Sequence, residues 1–146
     1  MTPLRNQPAV NPWPLSIAFP LTLAGAVALM LAFDAVSALF ARRTGFPYRN
    51  LWRFQFLCYV IIGFIAMLTL LDLRLVEAVG AITGLIEATA GWTITWRIGP
   101  GRVPDATPSR IAITIAAMTA FAFGLAIIGA ILFNFTAGLL ARSAMH

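Results

Sequence analysis

Four long apolar stretches, separated by short polar breaks, account for most of this 146-residue chain. They cover residues 16–42, 51–71, 74–97 and 109–141. Each is about twenty residues or longer, the length a helix needs to cross a hydrocarbon layer about 30 Å thick. None shows the strict alternation that a membrane β-strand requires. The pattern predicts an all-α, polytopic membrane protein, with residues 1–146 forming a single transmembrane domain built as a four-transmembrane-helix bundle.

The breaks support this division. Residues 1–15 hold four prolines and read as an irregular tail, with Trp13 as an interfacial anchor. The first stretch is expected to be retained rather than cleaved as a signal peptide. It is too long for such a segment, contains Asp34 and ends in Arg42 and Arg43. Pro20 fits either a first helical turn or a kink, depending on where the helix starts. Thr44-Gly45 and Pro47 stop the first helix, and Asn50 is placed to cap the second. Asp72-Leu73-Arg74 leaves room only for a tight turn, so the second and third helices form an antiparallel hairpin. The segment IGPGRVPDATPSR is a loop, and Thr107 or Ser109 starts the fourth helix. That helix exceeds the span a bilayer needs, so its end should tilt or protrude.

The third stretch differs from the others. Glu77, Gly80, Gly84, Glu87 and Gly91 are spaced by three and four residues, which puts them on one stripe of one helix. Gly80 and Gly84 permit close helix approach. On the fourth helix Gly124, Ile131, Asn134 and Gly138, with Ala117 and Ala120, are expected to form the packing seam. The third helix should then sit against the first and fourth, leaving the second as the most lipid-exposed.

Composition narrows the class. The chain is 60% hydrophobic and 10% charged, too few charges to cover a water-facing surface. All ten basic residues are Arg and the formal net charge is +5. They lie between apolar runs rather than in one patch, which argues against nucleic acid as a partner and for the lipid bilayer. Arg42, Arg43, Arg49, Arg53, Arg97, Arg102 and Arg110 fall in the loops after the first and third helices, and Arg5, Arg74 and Arg142 on the other side. This asymmetry predicts both large loops in the cytoplasm and both termini outside it, in a membrane of the bacterial inner type. Tyr48, Trp52 and Trp96 then share the cytoplasmic interface. One Cys and one His, the terminal His146, exclude internal disulfides and Cys/His metal sites within one chain, so no metal and no cofactor is expected.

The candidate chemistry is a set of polar groups at mid-depth. At 1.5 Å per residue from the cytoplasmic ends, Asp34 lies roughly 12 Å in, Glu87 roughly 15 Å and Thr119 roughly 14 Å, with Ser37 one turn from Asp34. Acids within a membrane span mark a site for protons or cations, or a device for helix association. With no Arg at their depth, Asp34 and Glu87 should not both be ionised. No Ser/His or Cys/His pair and no HExxH motif is present, and the chain is not expected to be an enzyme. The expected role is that of an accessory, assembly or structural subunit of a membrane complex, as a homo-oligomer or hetero-complex with other membrane proteins. The alternative is a small proton-coupled or cation-binding transporter using Glu87 and Asp34.

Overall fold

The computed structural model describes residues 13–99 and 107–144. The proline-rich tail before residue 13, Arg102 in the loop between Gly99 and Thr107, and His146 lie outside the described residues. Within them the chain is helical, with no strand. Helix α1 spans Leu15–Thr44, followed by a 3₁₀ turn at Tyr48–Leu51 and α2 at Trp52–Leu70. The third segment is α3 at Leu73–Ile86, a π-helical turn at Glu87–Gly91 and α4 at Trp92–Ile98. Helix α5 spans Pro108–Ser143. Three helical stretches, Leu15–Thr44, Tyr48–Leu70 and Pro108–Ser143, are long and apolar enough to cross a membrane.

The helix ends follow from local chemistry. Gly45 terminates α1 in the left-handed region, where its N–H donates to the Ala41 carbonyl at 3.0 Å. Pro20 lies inside α1 because the helix starts before it, at Leu15. Asp72 caps α3 by accepting from the Arg74 N–H at 2.8 Å, and Thr107 caps α5 ahead of Pro108. Leu71, between α2 and α3, takes φ 53°, a conformation that crowds its Cβ. Leu71→Gly is expected to stabilise the fold by about 1 kcal/mol, read as a raised midpoint of unfolding; no gain would mean that the turn is not held in this conformation.

The α2–α3 hairpin is the centre of the bundle. Helix α5 packs on one face of it and α1 on the other, and α1 and α5 do not touch among the described residues. At the α2–α5 crossing two glycines let the backbones meet: Gly63 lies against the Ala126 backbone, and Gly129 against Val60 and Phe64. Next to it, Gly80 packs on Ala126 and Phe123, and Gly84 on Ala122 and Thr119. These pairs run in opposite directions along α3 and α5 and put the Asp72 turn roughly level with residue 134. The end of α5 therefore extends roughly 14 Å past that turn at 1.5 Å per residue. Phe135 and Leu140 on this extension are 64% and 70% exposed.

Two expectations are corrected here. The second helix is not the most exposed: α2 contacts α1, α3 and α5. Around Gly63 its sequence is apolar on every side, so periodicity does not mark the face that Gly63 opens to α5. The seam of α5 is also rotated from the expected one. It is Ala122, Leu125, Ala126, Gly129 and Ala130 that are buried. Gly124 sits two residues from both Ala122 and Ala126, about 200° round the helix, and a Cβ there would meet nothing within 4 Å. Asn134 is exposed.

Candidate functional site

The interior between α1, α2 and the third segment holds a cluster of polar side chains. On α1 the buried row is Met30, Asp34, Ser37, Ala38 and Ala41, one face at helical spacing. On the third segment Thr83, Glu87, Gly91 and Thr95 are buried at four-residue intervals. A row of four-residue steps normally drifts round a helix of 3.6 residues per turn. The wider turn at Glu87–Gly91 offsets that drift and keeps Thr95 aligned with Glu87.

Glu87 is 3% exposed and makes hydrogen bonds with both carboxyl oxygens. Gln55 Nε2 donates to Oε1, and the Tyr59 hydroxyl donates to Oε2. Gln55 and Tyr59 are one turn apart on α2, so a single helix face supplies both donors. Asp34 is 2% exposed and stands beside Glu87, with the Tyr48 phenol alongside its carboxyl. Tyr48 in turn lies next to Thr95. Gly91 separates the two acids: a Cβ there would run into Asp34 Oδ2 and come within 3.2 Å of Glu87 Cγ. Two buried atoms, Asp34 Oδ2 and Thr83 Oγ1, have no hydrogen-bond partner among the described residues.

Of the residues singled out from the sequence, the structure brings Glu87, Asp34 and Gly91 together. Ser37 is buried one turn from Asp34. Thr119 stands apart from the cluster; its hydroxyl donates to the Ile115 carbonyl at 2.9 Å, and its backbone packs on Gly84. Glu77 is half-buried two turns from Gly84, toward the Asp72 end. Gly80 and Gly84 face α5, whereas Glu87 faces α2 and Gly91 faces α1, so the stripe serves three neighbours in succession. Sequence reading missed Gln55 and Tyr48 as partners of the acids, Thr95 as the neighbour of Tyr48, and Gly63 and Gly129 as crossing points. The pair Gln55 and Tyr59, a polar i, i+4 set on a largely apolar helix, was the available signal.

The arrangement can hold a proton on either acid, with two phenols and an amide as fixed partners. Among the described residues no group of three or more His, Cys, Asp or Glu is placed to hold a metal ion. No protein-family model matches this chain, and neither do any curated protein sequences or solved structures.

Proposed function

We propose that this chain is a four-span integral membrane protein with a non-enzymatic accessory or assembly role, in which Glu87 acts as an interior fastener between the third and second spans. The observation that carries the reading is the saturation of Glu87: both oxygens accept hydrogen bonds from the same face of α2. A carboxyl so occupied contributes to helix association. The exposed apolar residues of the three long helices, such as Leu21, Val36 and Ile113, suit contact with lipid or with another membrane protein. The Arg distribution favours a bacterial inner membrane with both termini outside the cytoplasm. Reporter fusions at the two termini and in the loop after α1 test this orientation. A cytoplasmic signal from either terminus overturns it.

The role itself is tested by gentle detergent extraction and native mass spectrometry of the full chain. An assembly role expects a stoichiometric complex, with further copies or with other membrane chains, that survives Glu87→Gln. A monomer under all mild conditions contradicts it. Proton-coupled or cation transport is the second reading, favoured by the Asp34 oxygen beside Glu87 that has no partner among the described residues. In proteoliposomes, Asp34→Asn then abolishes pH-driven flux while leaving the folding stability within about 1 kcal/mol of wild type. Absence of any wild-type flux removes that reading.

A further inference from the structure

We propose that the cleft between the ends of α1 and α4 binds a phosphate-bearing anion, taken first as the headgroup of an anionic membrane lipid. Helices α1 and α4 run in the same direction and stop side by side, so their last turns present Arg42 and Arg97 to one cleft of about 550 Å³. Its other walls include Phe46, Ile98 and the glycines at 45 and 99. Among the described residues no acidic side chain lines it.

Helix C-terminal carbonyls at the base of such a cleft would ordinarily repel an anion. Here each glycine cap takes up one of them: the Gly45 N–H donates to the Ala41 carbonyl and the Gly99 N–H to the Thr95 carbonyl, both at 3.0 Å. The two guanidiniums that line the cleft outweigh the remaining partial negative charge of the carbonyls, and a guanidinium is the group that pairs with phosphate oxygens. The apolar walls fit the glycerol and first methylenes of a lipid. Trp52 and Trp96, exposed at the same end, are the residue type found at headgroup level, and basic pockets between helices on this side commonly hold anionic headgroups.

The proposal rests on the membrane reading above, and the experiment separates the two. The full chain is reconstituted in phosphatidylcholine vesicles and washed at alkaline pH. Loss of the protein into the supernatant defeats the membrane reading itself. Retained protein is then examined by native mass spectrometry while phosphatidylglycerol is titrated against phosphatidylcholine, with inorganic phosphate as competitor. Wild type is expected to prefer phosphatidylglycerol by about tenfold or more. Arg42→Ala with Arg97→Ala should erase that preference, while Arg74→Ala, at the opposite end of the bundle, leaves it in place. Because both arginines are exposed, the double variant should keep its wild-type unfolding midpoint. Arg42→Lys with Arg97→Lys should restore part of the preference. Competition by inorganic phosphate at equal concentration identifies free phosphate as the ligand, and insensitivity to it identifies the lipid headgroup; either supports the site. Equal retention of the two lipids, or a preference that survives removal of both arginines, overturns it.

Discussion

Gly129→Ala is expected to cost about 3 kcal/mol of folding stability or more, among the largest effects of a single methyl group in the bundle. In an isolated helix the same change is favourable by about 1 kcal/mol. The reversal comes from the α2–α5 crossing. A Cβ on Gly129 would run into the Val60 carbonyl oxygen and the Phe64 amide nitrogen. Both are backbone atoms in mid-helix, so relief requires a whole helix to move. Gly63→Ala should behave alike, since its Cβ would meet the Ala126 backbone. Gly124→Ala is the matched control on the same helix. It points into open space, and should be neutral or gain a few tenths of a kcal/mol. The check is the unfolding midpoint of the three variants in one detergent or bilayer mimic. Equal midpoints for Gly129→Ala and Gly124→Ala would mean that α2 and α5 do not cross where described.

Glu87→Leu is the second large effect expected, a loss of about 2 kcal/mol. It removes the acceptor for two donors at once, leaving the buried Tyr59 hydroxyl and the half-buried Gln55 amide without that partner. Glu87→Gln should cost less than about 1 kcal/mol, because its carbonyl still accepts from Gln55 and its amide can donate to the Tyr59 oxygen. The comparison checks the fastener directly: similar losses for Leu and Gln would assign the effect to the lost acid rather than to lost hydrogen bonds.

Much of the fold was legible because it depends on local properties. Runs of apolar residues, the Asp72 turn, the Gly45 stop and the Thr107-Pro108 start each act over a few residues and can be read one at a time. What could not be read was which face of each helix meets which neighbour. Beyond its first two turns helix α2 is apolar on nearly every side, so its packing on α5 is decided by a single glycine meeting another, a pairing between positions 63 and 129 that no periodicity encodes. The expected seam through Gly124 and Asn134 failed for a related reason. Small residues on α5 occur on more than one face, and the partner chooses among them.

The site was legible in part. The stripe from Glu77 to Gly91 follows from spacing, and the similar depth of Asp34 and Glu87 follows from topology. The assignment of Gln55 and Tyr59 to Glu87 does not, because it requires knowing that α2 turns its polar pair inward. The π-helical turn was hidden as well. EATAG carries no strong signal for a widened turn, and the register it corrects becomes visible only when Thr83, Glu87, Gly91 and Thr95 are seen in one buried row.

The hydrogen bond from Tyr59 to Glu87 is the contact on which the interior arrangement turns, and a double-mutant cycle measures it most directly. Tyr59→Phe, Glu87→Leu and the double variant are unfolded in the same bilayer mimic, with Thr119→Val substituted for Tyr59→Phe as the control pair. A coupling of about 1 kcal/mol is expected between positions 59 and 87, and additivity within about 0.5 kcal/mol between 119 and 87. Additivity at both pairs would contradict the contact, and with it the fastening of the third helical segment to α2.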